Sequence, residues 1–149
     1  MKQKRSFPVI TVTPKAEASL RKGHPWVYDT EILSVTGHCE NGCLADVASV
    51  KGAYLGTGFI SEKSKIRIRV LSSNANETFG DSFWERRLRY AVDYRRTVMG
   101  DDFSCCRLVF GEADGLPGLT VDRFSDILVT QVLSFGNGEN QERYIQRLG

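Results

Sequence analysis

Among the 149 residues there are only two histidines, His24 and His38, and four cysteines, Cys39, Cys43, Cys105 and Cys106. Metal and nucleophilic sites draw heavily on these residue types. His38-Cys39 and Cys43 lie close together, but the cysteines do not repeat a C-x-x-C spacing. Adjacent Cys105 and Cys106 cannot easily aim at one ion. Free thiols in a reducing, cytoplasmic setting and no bound metal are therefore expected. No hydrophobic run nears the ~20 residues of a membrane-spanning helix. The basic start, Met1 to Arg5, is followed by neither a long apolar stretch nor a small-residue cleavage site, which argues against a secretory signal. Fourteen glycines and four prolines are too few for a collagen-like or low-complexity chain. There is no nucleophile elbow, P-loop, H-E-x-x-H or EF-hand pattern. No glycine-rich turn joins a strand to a helix in a βαβ setting, so no dinucleotide or adenosyl site is visible. The residues alone assign no catalytic, cofactor-binding or metal-binding position.

What is present begins with charge. Lysine and arginine total 20 against 18 aspartates and glutamates, a net +2. The distribution is uneven. Residues 1–80 carry +4, residues 81–149 carry −2, and all seven lysines lie in the first part. A basic first part suits a polyanion such as RNA. On charge alone, a solvated surface with uneven composition is the simpler account.

Val9 to Val12 reads as a strand. Thr13-Pro14 reads as an N-cap with proline at the first helical position, opening a short helix over Lys15 to Lys22. Gly23 and Pro25 end it. Further strands are expected at Glu31 to Val35, Leu44 to Val50 and Tyr54 to Ile60. Asn41-Gly42 and Lys51-Gly52 mark turns. Ile66, Ile68 and Val70 alternate with Arg67 and Arg69, a period of two. Five strands and one helix in ~70 residues predict a small β-barrel-like module. Ser72 to Gly80 is a polar linker. Ser82 to Glu85 fits a capping box, and Trp84, Leu88, Ala91, Val92, Arg95 and Val98 recur at helical spacing, predicting a helix over Ser82 to Met99. Strands at Arg107 to Phe110, Leu119 to Phe124 and Ile127 to Leu133 then form a meander, and Gly138 to Leu148 could begin another helix. The fold class is mixed α+β and rich in strands.

Two basic groups are candidates for phosphate contact: Arg21, Lys22 and His24 around the first helix end, and Lys63, Lys65, Arg67 and Arg69 on and before a strand. Alternation turns Lys65, Arg67 and Arg69 to one face. Such a face can follow a nucleic-acid backbone or can protect an edge strand from aggregation, and the pattern does not separate the two. Trp26 and Tyr28 could stack on an unpaired base, although a tryptophan beside proline and valine reads more simply as a core residue. Arg86, Arg87, Arg89 and Arg96 read as a solvated or domain-contacting helix face. Glu112 and Asp114 lie in a glycine- and proline-rich turn. With no nucleophile or metal set beside them, the reading is a tightly specified loop in which Asp122 and Arg123 pair locally.

Four motifs carry a resemblance: Gly23-His-Pro-Trp-Val27; Gly56-Thr-Gly-Phe-Ile60 with Ser64-Lys-Ile-Arg-Ile-Arg-Val-Leu71; Phe83-Trp-x-x-Arg-Leu88; and Gly111-Glu-Ala-Asp-Gly-Leu-Pro-Gly-Leu-Thr-Val-Asp-Arg-Phe124. From about Ile10 onward the chain resembles the N-terminal part of bacterial class I S-adenosylmethionine-dependent methyltransferases that modify carbon 5 of cytosine in large-subunit rRNA. The resemblance implies a PUA-type pseudo-β-barrel over residues 1–73 that binds RNA. It implies a helix-plus-β-hairpin domain over residues 78–149. In the family a Rossmann-like domain of roughly 150–200 residues follows. Its cofactor loop and catalytic cysteine have no counterpart in these motifs, so the resemblance implies a fragment or a truncated product. It transfers no catalytic role to the four cysteines. S-adenosylmethionine would be the cofactor of the whole enzyme and large-subunit rRNA its partner, with no membrane; self-association into a homodimer stays open. The alternatives are a stand-alone PUA-type RNA-binding module and a docking protein that uses residues 78–149.

Overall fold

The structure is a computed structural model that describes residues 6–116 and 118–132. The helix expected over Gly138 to Leu148 lies outside the described residues. The chain divides into two compact units, Met1–Glu77 and Thr78–Gly149.

The first unit is a curled six-stranded sheet with one helix. Its elements are β1 (Val9–Val12), α1 (Pro14–Arg21), β2 (Trp26–Tyr28), β3 (Ile32–Thr36), β4 (Leu44–Ala48), β5 (Tyr54–Ile60) and β6 (Ile66–Ser72), in the sheet order β2-β6-β5-β4-β1-β3. All pairings are antiparallel except β1 with β4. Helix α1 starts where the sequence predicts. The Thr13 hydroxyl accepts from the Ala16 backbone N–H at 3.2 Å, Pro14 fills the first turn, and Gly23 takes φ +93° just past the end. Its buried Ala16 and half-buried Leu20 pack on Ile10, Val12, Val27, Ala45, Val47, Leu55, Ile60 and Ile68, which form the core of this unit.

β2 is the strand that sequence patterning misses. Three residues between Pro25 and a 3-10 turn at Asp29–Glu31 are too few to show a period. Asp46, the charged residue within β4, is satisfied across the sheet: the Thr57 hydroxyl donates to its carboxylate at 2.5 Å, and Tyr54 Oη lies 2.6 Å from the same hydroxyl. The side chain of Cys39 packs against the core, and its thiol is pushed up by burial first, then by Cys43 and Glu62.

The second unit holds α2 (Asp81–Met99) and the sheet β7 (Cys105–Phe110), β8 (Leu119–Phe124) and β9 (Ile127–Val132), all antiparallel in that order. The capping-box expectation is corrected. Gly80 is the N-cap without a side-chain bond, and Ser82 already lies inside the helix. The buried stripe is Phe83, Trp84, Leu88 and Ala91, while Val98 is exposed rather than part of it. Leu108, Val109, Leu116, Leu119 and Val121 complete the core. The local Asp122–Arg123 pair is also corrected. The register sets Arg107 opposite Asp122, and its guanidinium donates to both carboxylate oxygens at 2.7 and 3.2 Å. Arg123 instead donates to the Ser125 carbonyl and lies over Phe103.

The glycine-rich segment is held from within its own unit. Asp114 Oδ2 accepts from the Phe110 backbone N–H at 2.6 Å and from Arg95 at 3.1 Å, and Arg87 donates to the Gly115 carbonyl at 2.9 Å. Asp114 therefore works as a latch between the turn and α2, in keeping with the expected tightly specified loop.

Candidate nucleic-acid interface

The candidate cations fall on three elements. Arg21 and Lys22 end α1 and are exposed; Arg21 already pairs with Glu17 one turn back at 2.9 Å. Lys63 and Lys65 lie in the turn between β5 and β6, and both are exposed. Arg67 and Arg69 are on β6 and are half-buried. Arg69 donates to Ser61 Oγ at 3.5 Å.

The β2–β6 ladder brings these groups to one edge. Trp26 pairs with Arg69, Val27 with Ile68 and Tyr28 with Ile66. At one end the Val70 backbone N–H donates to the Pro25 carbonyl at 2.7 Å; at the other the Asp29 N–H donates to the Lys65 carbonyl at 2.9 Å. The end of α1 thus lies toward one end of the ladder and Lys65 toward the other. His24, Trp26 and Tyr28 lie between.

Two sequence expectations change here. First, β6 pairs with β2 on one side and β5 on the other, so it is no edge strand, and edge protection does not account for its cations. Second, the alternation is interrupted. Register irregularities occur between Val27 and Tyr28 and between Thr57 and Gly58. Arg67 is the residue skipped in pairing with β2. Ile68 is fully buried, but Ile66 and Val70 are only half-buried, and so are Arg67 and Arg69. Arg67 Nε is shut off from solvent with no partner among the described residues. The freely accessible cations are accordingly Lys22, Lys63 and Lys65, with Arg21 shared.

The aromatic residues also take places other than those expected. Val27 is the fully buried member of β2, whereas Trp26 is half-buried and Tyr28 is 38% exposed. Trp26 is therefore no core residue: strand alternation sends Val27 inward and its neighbours outward. The His24 and Trp26 rings meet edge-on at 5.7 Å, Trp26 and Tyr28 edge-on at 6.4 Å, and His24 and Tyr28 at a tilt at 6.5 Å. The Trp26 backbone N–H donates to His24 Nδ1 at 3.2 Å. The rings occur at every second residue, a signal present in the sequence but unusable until the strand is known.

No three His, Cys, Asp or Glu side chains among the described residues come together as a metal site. No helix among them is long and apolar enough to cross a membrane.

Comparison with known proteins adds the following. Residues 10–73 match the family of PUA-like domains. The chain is 37% identical over 131 residues to ribosomal RNA large subunit methyltransferase I of Klebsiella pneumoniae, which covers 87% of this chain and 33% of that protein. It is 31% identical over 137 residues to the protein of the same name from Alteromonas mediterranea, covering 91% of this chain and 34% of that protein. The chain thus spans about a third of the length of the curated relatives it matches. Among solved structures, a SAM-dependent methyltransferase from Streptococcus mutans superimposes with a TM-score of 0.79 at 15% identity, over 94% of this chain and 36% of that one. A methyltransferase complexed with SAH gives 0.80, also at 15% identity, with the same coverage. At that identity the likeness is one of fold.

Proposed function

From the PUA-like domain at residues 10–73 and the kinship of the chain with about a third of the length of rRNA methyltransferases, we propose that it is the RNA-holding part of a cytoplasmic, S-adenosylmethionine-dependent enzyme. That enzyme methylates carbon 5 of a cytosine in large-subunit rRNA. In this reading residues 1–73 are the RNA-binding domain and residues 78–149 a connecting α+β domain. No residue here is assigned to the cofactor or to methyl transfer. Those tasks belong to the part of the relatives' length that the chain does not span.

The observation that carries the RNA reading is the β2–β6 ladder. It sets one group of cations, Arg21 and Lys22, toward one end of a sheet edge and a second group, Lys63 and Lys65, toward the other. Contacts of this kind position a polyanion without reading its sequence. Arg67, Arg69 and His24 belong to the proposed surface but are less accessible or already engaged. Arg67 is half-buried, so changing it would disturb packing as well as charge, and the informative variant reverses the two exposed turn lysines. Lys63→Glu with Lys65→Glu is expected to weaken binding of an rRNA fragment about tenfold at moderate salt. Unfolding stability should stay within about 0.5 kcal/mol, as is usual for exposed positions. Filter binding and urea unfolding of the same protein check both halves. Unchanged RNA affinity would move the RNA surface elsewhere.

A second reading, a protein-docking module, draws on one observation. Phe110, Phe124, Ile127 and Val129 on the β7-β8-β9 sheet are each more than half exposed. Under that reading the lysine reversal leaves the chain's binding unaltered.

A further inference from the structure

We propose that the His24–Trp26–Tyr28 ring cluster is a stacking site for an unpaired base, so that this edge selects looped or bulged RNA over duplex. The inference rests on the RNA-binding reading above and adds what kind of RNA segment is held.

β2 is the outermost strand of its sheet, so one of its sides faces no neighbouring strand. Val27 is its fully buried residue, Trp26 is half-buried, and Tyr28 and the preceding His24 are exposed. Rings at every second residue along and just before an edge strand, two of them exposed, are not explained by the core. Their mutual contacts at 5.7, 6.4 and 6.5 Å, together with the Trp26 N–H bond to His24 Nδ1, fix the rings relative to one another before a ligand arrives. Such preorganisation lowers the entropy lost on binding.

Charge selects the occupant. From Trp26 to Tyr28 the strand covers about 7 Å, and exposed cations lie beyond both ends of the ring cluster. Two carboxylates beside the strip are held locally: Glu31 accepts from the Tyr28 backbone N–H at 3.0 Å, and Asp29 accepts from the Thr30 N–H at 2.8 Å. An aromatic strip with cations at its ends fits a short unstacked stretch of nucleic acid, whose base meets a ring and whose phosphates meet the lysines. A duplex hides its base faces and could use only the cations.

The test uses the whole chain with two RNAs of equal length, a hairpin with 2-aminopurine in its loop and a fully paired duplex. Wild-type protein is expected to prefer the hairpin and to change the 2-aminopurine fluorescence on binding. Tyr28→Ala is expected to weaken hairpin binding about tenfold and to abolish the fluorescence change. It should leave duplex affinity and salt dependence as they were. Tyr28→Phe, which keeps a ring, should behave as wild type, and His24→Ala should shift hairpin binding in the same direction as Tyr28→Ala. Hairpin binding by Tyr28→Ala equal to wild type, with both RNAs still weakened by Lys63→Glu and Lys65→Glu, would overturn the stacking site and leave the RNA reading standing. Failure of the wild type to bind either RNA would overturn both.

Discussion

Replacing Asp114 with alanine is expected to destabilise the second unit by about 3 kcal/mol, the cost of removing one partner from a buried ion pair. Asp114 is 10% exposed and Arg95 is 19% exposed at the side chain. The carboxylate serves two donors at once, the Phe110 backbone N–H and the Arg95 guanidinium. Its loss strands a backbone donor at the end of β7 and leaves an arginine on α2 whose Nε already has no partner among the described residues. Hydrogen exchange is the measurement. Amides of β7 and β8 should exchange roughly a hundredfold faster if opening becomes about 3 kcal/mol easier. Asp114→Asn keeps an acceptor for Phe110 but gives up the charge, so it should fall between alanine and wild type. Exchange unchanged in Asp114→Ala would reduce the latch to a surface ion pair, worth about 0–1 kcal/mol.

Gly58→Ala is expected to cost the first unit about 3 kcal/mol or more, at the upper end of overpacking effects. A methyl group there would lie 2.1 Å from the Arg69 carbonyl oxygen, 2.6 Å from its carbonyl carbon and 2.7 Å from the Val70 Cα. All three are backbone atoms, so no side-chain rotation relieves the clash and β5 must move away from β6. β6 also carries β2 and the proposed RNA edge, so RNA affinity should fall with stability. Gly80→Ala is the control, because a methyl group at Gly80 meets nothing within 4 Å. Urea unfolding should show a large drop in midpoint for Gly58→Ala and a smaller loss, about 1 kcal/mol or less, for Gly80→Ala, which changes only the N-cap of α2. Equal midpoints for the two variants would contradict the tight β5–β6 approach.

These two sites show which parts of the molecule local sequence can specify. Helix α1 is legible because its signals are local: Thr13 caps it, Pro14 starts it and Gly23 stops it. Strand β6 is legible from its period of two, and β5 from the Lys51-Gly52 turn before it. What fails is whatever depends on register. Asp122 has Arg123 beside it in sequence, but the β7–β8 pairing offers Arg107 instead. Asp114 and Arg95 lie 19 residues apart, and only the packing of the turn on α2 joins them. The alternation of Lys65, Arg67 and Arg69 predicts three equally outward cations. Lys65 stays exposed in the turn before β6, while Arg67, the residue skipped in the pairing with β2, and Arg69 are half-buried. The candidate surface was legible as two groups of residues. Their placement along one edge was not, because β2, the strand that links them, is only three residues long.

The central claim is that the first unit holds RNA through accessible cations at the β2–β6 edge, and a salt titration of the whole chain tests it most directly. Fluorescence anisotropy with a labelled large-subunit rRNA fragment would be measured from 50 to 200 mM salt. With about four phosphate contacts, the logarithm of affinity should fall linearly with the logarithm of salt, at a slope of about −3, or roughly fiftyfold over that range. Lys63→Glu with Lys65→Glu should flatten the slope by about two contacts' worth. Binding that ignores salt, or a slope the double variant leaves unaltered, would contradict the claim.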